Sequence, residues 1–271
     1  MGKLDGKVAF ITGAARGQGR SHAVRLAEEG ADIIGVDICR QLDSVGYAMS
    51  TPADLEQTVK EVEALGRRIV ARQADVREVK ELRKAFEEGV AELGPPGIVL
   101  ANAGIGPGGM ASNQQQWDEV VGVNLTGVWN TGRVAIPSMV AAGQGGAIVL
   151  TSSTGGLTGA PIDAAGMLAY TAAKHGVIGL TRSWANSLAP HFIRVNSVAP
   201  TTVRTPMAGG GNVAEIVENV PQLAGSLLNA LPIEAVDPID VSNAILWLVS
   251  DEARYVTGSV IPVDAGNINR R

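Results

Sequence analysis

Tyr170 and Lys174 stand four residues apart in Tyr-Thr-Ala-Ala-Lys, and on a helix that spacing puts both side chains on one face. A phenol has an ordinary pKa near ~10, too high for acid–base work at neutral pH. A neighbouring ammonium favours the phenolate. Bringing the pKa to neutrality takes roughly 4 kcal/mol of differential electrostatics, which two cations in a partly dry cleft could supply. Alone, the pair is a common solvated helix face. Ser153 sharpens it: it follows the apolar run Ala147–Thr151, and its hydroxyl can donate to a substrate oxygen. Ser152 is the neighbouring alternative, and alternation along an extended chain turns only one of the two inward. Asn124, in Val-Asn-Leu-Thr-Gly, lies inside a helical stretch although Asn is a poor helix former. It is either a satisfied core amide or a group that shapes the backbone and holds a water in a proton relay.

A second cluster supplies the missing cation. Thr12–Gly19 (TGAARGQG) joins an apolar run to an amphipathic one. Gly13, Gly17 and Gly19 permit a tight turn that brings backbone N–H groups against a pyrophosphate, with the helix N-terminus adding a favourable dipole. Arg16 and Gln18 lie within the turn. Asp37 ends the next apolar run, where a carboxylate can accept from ribose hydroxyls. These features predict a bound dinucleotide, and an oxidised nicotinamide would be the second cation beside Tyr170. Asp37 would repel a 2′-phosphate, so NAD is expected rather than NADP. Arg16 and Arg40 argue the other way. Gly104–Gly109 also spells GxGxxG, but Pro107 stiffens it and no helix follows at once, so it is not the phosphate turn.

The elements that must position these groups alternate regularly. Apolar runs at Lys7–Thr12, Ala31–Asp37, Arg68–Asp75, Gly97–Ala101, Ala147–Thr151, Ile193–Val198 and Ser259–Val263 read as strands. Helical patterns occupy Gly17–Gly30, Pro52–Leu65, Val79–Leu93, Gln114–Ala142, Leu168–Ala189 and Ile239–Val249. Continuous apolar strands separated by helices predict a parallel sheet buried on both faces. The expected architecture is α/β: one doubly wound (Rossmann) domain over 1–271, with a seven-stranded parallel sheet and helices on both faces. Two stretches are irregular: Ile38–Thr51, expected near the cofactor, and Pro206–Val236, expected to bind substrate.

On these residues the chain resembles the short-chain dehydrogenase/reductase family across essentially its whole length. The matching residues are Thr12–Gly19, Asp37, Asp75-Val76, Asn102-Ala103-Gly104, Asn124, Ser153, Tyr170, Lys174 and Pro200–Thr205. The resemblance implies an NAD-dependent oxidoreductase acting on CH–OH groups. Tyr170 would be the acid/base, and Lys174 would bind the nicotinamide ribose and tune Tyr170. Ser153 would position the substrate oxygen and Asn124 would complete the relay. Asp75 and Val76 would contact adenine, Asn102 would sit beside the adenosine ribose, and Val203 and Thr205 would hold the carboxamide. The resemblance also implies a homotetramer. Two departures stand out. The family's usual Pro-Gly after the sixth strand is Pro200-Thr201 here, and Ser153 and Tyr170 are unusually far apart. The Ile38–Thr51 insertion, with GAARGQGRSHAVRLAEEGADII and SDEARYVTG, is similar to a narrower group, the carveol-dehydrogenase-like, mycofactocin-associated enzymes. That likeness implies tightly held NAD, covered by the insertion, and a dedicated electron acceptor that re-oxidises it in place.

Composition narrows the alternatives. A net charge of −5 gives no basic face for nucleic acid. A single cysteine, Cys39, precludes an intrachain disulfide and fits a reducing compartment. No apolar run reaches the ~18 residues of a membrane span, so a cytoplasmic protein is expected. His22, His175 and His191 have no metal-site spacing, and no metal is expected. A non-redox dinucleotide sensor would not need the Ser153, Tyr170 and Lys174 set. A lyase or epimerase would carry an added sugar-binding part. Between Thr205 and Ala253 there is no Lys or Arg, and Thr154–Ala169 carries only Asp163. An anionic substrate would lack a partner for its buried charge, with Arg204 the one nearby cation. Leu157, Pro161, Ile162, Met167, Leu168, Met207, Val213, Ile216, Val217, Leu223, Leu227 and Leu228 instead predict a neutral, apolar secondary alcohol or ketone of terpenoid or alicyclic type. Gly209–Gly211 would hinge the second stretch over it.

Overall fold

The first apolar run forms β1 (Val8–Thr12), wholly buried because both of its faces are covered. Phe10 packs with Phe86 and Val134 on one side, while Ala9 and Ile11 pack with Leu26 and Ile245 on the other. The same logic builds β2 (Asp32–Asp37), β3 (Ile69–Gln73), β4 (Ile98–Ala101), β5 (Gly146–Thr151), β6 (Ile193–Pro200) and β7 (Val260–Val263). They pair in the order β3-β2-β1-β4-β5-β6-β7, all parallel, so the strand order reverses between β1 and β4. In such sheets the crevice at the carboxyl ends beside this reversal is where ligands bind. This computed structural model describes residues 2–106, 113–159, 163–209, 225 and 228–270.

Among the described residues the helices are α1 (Gly17–Glu28), α2 (Pro52–Ala64), α3 (Val79–Leu93), α4 (Gln114–Val121), α5 (Val128–Ala142), α6 (Ala165–Leu188), the single turn α7 (Pro206–Gly209) and α8 (Pro238–Val249). Side chains of α1, α2 and α8 share one core, and those of α3, α5 and α6 share the other. Thr51 caps α2 in a reciprocal capping box with Asp54, with Pro52 in its first turn.

One expected helix divides. Gln114–Ala142 is α4, then a π-helical stretch at Gly122–Gly127, then α5. The stretch contains Asn124, whose amide is drawn out of the helix toward Ile105. At Gly127 a Cβ would lie 2.5 Å from Val76 Cγ2, so the wide turn lets the helix approach β3's exit closely. The other differences are at ends. β6 continues two residues past Val198 to Pro200, and α6 begins at Ala165, whose first turn (Ala-Gly-Met) carries no amphipathic signal.

Candidate active site

The groups that could move a proton meet at the exit of β5. Ser152 and Ser153 leave that strand in opposite senses. Ser152 is buried and donates to the Lys174 carbonyl at 2.9 Å. Ser153 faces the cleft beside Tyr170 and accepts from Gly155 N at 3.1 Å. Lys174, one turn of α6 beyond Tyr170, is 4% exposed. Its Nζ lies 5.6 Å from the Tyr170 ring centroid and donates to Thr151 O at 2.8 Å.

Burial sets the electrostatics. It pushes the Tyr170 phenol above its ordinary value, with the neighbouring Ser153 hydroxyl working against the rise. It lowers the Lys174 ammonium to about 8. The expected depression of the Tyr170 pKa by Lys174 is therefore not a property of the chain alone. The ammonium is spent on the Thr151 carbonyl, and desolvation of the phenol dominates.

Asn124 is fully buried, and Ile105 engages both ends of its amide. Its Oδ1 accepts from Ile105 N at 2.8 Å and its Nδ2 donates to Ile105 O at 2.9 Å. This fixes the loop Asn102–Gly106 beside the cleft. Thr12 fixes the other end of that loop, its Oγ1 accepting from Asn102 N and Ala103 N. Asn102 Nδ2 returns to the Thr12 carbonyl at 3.0 Å.

The glycine turn leaves β1 with Gly13 at φ +72°, left-handed backbone that favours glycine. At Gly19 a Cβ would fall 1.9 Å from Gly13 O, so no other residue keeps this turn closed. Asp37 is buried, accepting from Ala15 N (2.9 Å), Cys39 N (3.1 Å) and the Ser50 hydroxyl. Asp75 is held between Arg77 (2.7 Å) and Arg40 (2.9 Å), and these contacts keep its carboxyl below the usual range against the opposing cost of burial. Arg40 is thus committed to Asp75. Arg16 donates to the Ala48 carbonyl of the insertion. Each guanidinium therefore already has a partner within the protein.

A cleft of about 370 Å³ joins these parts. Gly13, Arg16, Gly17, Gln18, Gly19, Asp37, Asp75, Val76, Asn102, Ala103, Gly104, Ser153, Tyr170, Lys174, Pro200, Val203 and Thr205 all line it. Asn124 acts from behind the wall. Val203 is buried and pairs as an isolated bridge with Val236. The residues fit a dinucleotide. The glycine turn closes only because Gly19 has no Cβ to strike Gly13 O, and Gln18 Oε1 is a buried acceptor without a partner among the described residues.

The insertion is more than a surface loop. Leu42 and Val45 are buried in the core, and Tyr47, Met49 and Ser50 line the cleft. Tyr47 Oη accepts from Gly106 N at 3.0 Å, closing insertion onto loop. The sequence reading missed Tyr47 and Ser50. The available signal was one of only three tyrosines, placed in a loop that also carries Leu42, Val45 and Met49.

The apolar set expected around the substrate needs correcting. Met167 and Met207 line the cleft. Leu168 and Leu228 are exposed at 43% and 50%, and Leu157 is not part of the lining. The apolar lining comes instead from Tyr47, Ile105 and Val123. Pro161, Ile162, Val213, Ile216, Val217, Leu223 and Leu227, the Gly210-Gly211 hinge and Pro107–Gly109 lie outside the described residues. Arg204 is exposed and paired with Asp237 at 2.9 Å. His22 is buried against Ser242, its pKa lowered to about 3 by burial, and His175 is exposed. Among the described residues, no group of three or more His, Cys, Asp or Glu side chains could hold a metal, and no helix is long and apolar enough to cross a membrane.

The comparisons agree with this geometry. Residues 13–267 match the family described as enoyl-(acyl carrier protein) reductase. A (−)-trans-carveol dehydrogenase of Rhodococcus erythropolis is 49% identical over 98% of this chain and 99% of its own. The crystal structure of a carveol dehydrogenase from Mycobacterium avium in complex with NAD superimposes with a TM-score of 0.92 at 47% identity, covering 99% of this chain and 100% of that one. A short-chain dehydrogenase from Mycobacterium paratuberculosis bound to NAD gives 0.94 at 46% identity, with the same coverage. The chain belongs to the short-chain dehydrogenase/reductase family of oxidoreductases.

Proposed function

We propose that this NAD-dependent enzyme interconverts a neutral, apolar secondary alcohol, of terpenoid or alicyclic type, with its ketone. The observation that carries the reading is the meeting of Ser153, Tyr170 and Lys174 at the floor of a cleft whose other end is the glycine cradle and Asp37. NAD, when bound, supplies the hydride acceptor. Gly13, Arg16, Gly17, Gln18 and Gly19 would hold its pyrophosphate and Asp37 its adenosine ribose, while Asp75, Val76, Asn102, Ala103 and Gly104 would line the adenosine side. Pro200, Val203 and Thr205 would hold the carboxamide end.

In oxidation the substrate's hydroxyl proton passes to the Tyr170 phenolate oxygen. Ser153 orients the substrate oxygen beside it. Lys174 keeps positive charge next to the phenolate, because a pKa of about 8 leaves it protonated at neutral pH. Asn124 holds the Ile105 backbone against the site. In reduction the proton travels the other way. Tyr47 excludes water from above through its bond to Gly106.

An anionic substrate is disfavoured because Arg204, Arg16 and Arg40 are each engaged elsewhere. The relationship to carveol dehydrogenases supports an alicyclic alcohol. The covering insertion supports tightly held NAD, re-oxidised in place by a mycofactocin-type acceptor. Trp117, Trp129 and Leu168, exposed on α4, α5 and α6, support a homotetramer, and the single cysteine supports a cytoplasmic setting. The test is a panel of neutral alicyclic alcohols and anionic hydroxy acids, followed at 340 nm and, in parallel, with an artificial electron acceptor. Higher kcat/KM on the neutral alcohols is expected. Higher values on the hydroxy acids overturn the reading.

A further inference from the structure

Thr201, the departure from Pro-Gly after β6, is a polar side chain at a chain junction. Its backbone is not left-handed, so the position does not require glycine. The residue lines the cleft, and its hydroxyl donates to Asn229 Oδ1 at 3.0 Å.

Asn229 is the only buried residue between 228 and 234. Around it Leu228, Leu231 and Ile233 are 50%, 60% and 45% exposed, so little apolar burial pins this segment. Hydrogen bonds pin it instead. Asn229 Nδ2 donates to Ile233 O at 2.9 Å and to Glu234 O at 3.3 Å, and the Asn229 carbonyl accepts from Arg270 at 2.8 Å. Ala230 N and Leu231 N both donate to Ala265 O at 3.0 Å. Asn267, which also lines the cleft, donates to Leu228 O at 2.9 Å. The Thr201 hydroxyl is a side-chain link from this knot to the loop Pro200–Thr205, and Val236, just beyond the segment, bonds to the same loop through Thr202 O at 3.0 Å and Arg204 N at 2.9 Å.

We propose that Thr201 is a positioning residue for substrate: through Asn229 it sets the place of residues 228–234 and, by way of Leu228, of Asn267, which lines the cleft. The proposal rests on the reading of the cleft as an alcohol site. Without the hydroxyl, Asn229 Oδ1 is left buried and unpaired, and an unmade buried hydrogen bond costs more than a made one contributes. Residues 228–234 can recover that loss only by moving. The adenosine half of the cleft, built by the glycine turn, Asp37 and Asp75, shares none of these bonds.

The experiment compares Thr201→Val, isosteric without the hydroxyl, with Thr201→Ser, which keeps it. Three quantities are read: steady-state kinetics on a monocyclic terpenoid alcohol, the NAD dissociation constant, and hydrogen–deuterium exchange across 228–234. Thr201→Val is expected to raise KM about ten-fold, the scale of one unmade buried hydrogen bond, with kcat and NAD affinity within roughly three-fold. Exchange at Ala230 and Leu231 should quicken in Thr201→Val, and Thr201→Ser should resemble the wild type throughout. The proposal is overturned if KM and exchange are unchanged in Thr201→Val, if Thr201→Ser is equally impaired, or if NAD affinity falls as far as KM rises. Wild-type protein inactive on every neutral alcohol would sink the alcohol reading alone, and the exchange arm would still decide whether Thr201 fixes the segment.

Discussion

Replacing Lys174 by Met should stabilise the protein while disabling it. Lys174 is 4% exposed, and burial lowers its pKa from 10.5 to about 8. That depression corresponds to roughly 3 kcal/mol charged against the folded state at neutral pH. The one bond lost is Nζ to Thr151 O, and leaving that buried carbonyl unpaired costs about 1–3 kcal/mol. Met matches the stem and needs no hydration, so a net gain of up to about 2 kcal/mol is expected, a rise in Tm of up to roughly 8 °C for a chain of this size. The pH dependence identifies the cause. Since the folded pKa lies below the unfolded one, the unfolded chain binds more protons between about 8 and 10.5, and wild-type stability rises with pH across that window. The Met variant lacks this dependence, so its advantage should be full below pH 8 and gone near 10.5. Thermal denaturation at pH 7, 9 and 10.5, with activity assayed alongside, makes the comparison. A Met variant less stable at pH 7, or one whose difference from wild type ignores pH, would refute the argument that burial of the charge dominates at this site.

Three further outcomes follow from the same geometry. Tyr170→Phe should lower kcat by roughly 10²–10⁴, the usual worth of a general acid–base group, with NAD affinity unchanged by titration; near-normal turnover would remove Tyr170 from the role. Gly19→Ala places a Cβ 1.9 Å from Gly13 O, so the turn must open and calorimetry should show NAD binding lost although the protein remains folded. Asp37→Ala should weaken NAD by roughly ten- to hundred-fold, the scale of a lost charge-assisted bond, yet gain little NADP affinity because Arg16 and Arg40 are held by Ala48 and Asp75. A strong gain in NADP affinity would show that those arginines are freer than their contacts imply.

What the sequence revealed, and what it concealed, follows from the range of the interactions. Strands buried on both faces advertise themselves as unbroken apolar runs, and β1, β2, β4 and β5 fall within a residue or so of the runs that predict them. The glycine turn was legible because steric closure there admits only glycine, a constraint written in consecutive residues. Ser153, Tyr170 and Lys174 were legible as types at fixed spacing. The π-helical stretch was not, because its cause is a bond between Asn124 and Ile105, nineteen residues away, which leaves helical periodicity almost intact. Tyr47 was missed for a similar reason: its meaning comes from Gly106, fifty-nine residues on. The apolar residues assigned to the pocket failed where local composition had to stand in for direction, as Leu168 and Leu228 show by facing outward. The electrostatic expectation required both Lys174 and a bound nicotinamide. Lys174 sits where its spacing places it, but its charge is turned to the Thr151 carbonyl, and burial of the Tyr170 phenol outweighs its influence. Proximity in sequence establishes that two groups can interact; the solvent around them decides the sign of the result. Tuning of Tyr170 therefore depends on how dry the cleft is and on every cation that enters it, not on the Tyr–Lys pair alone.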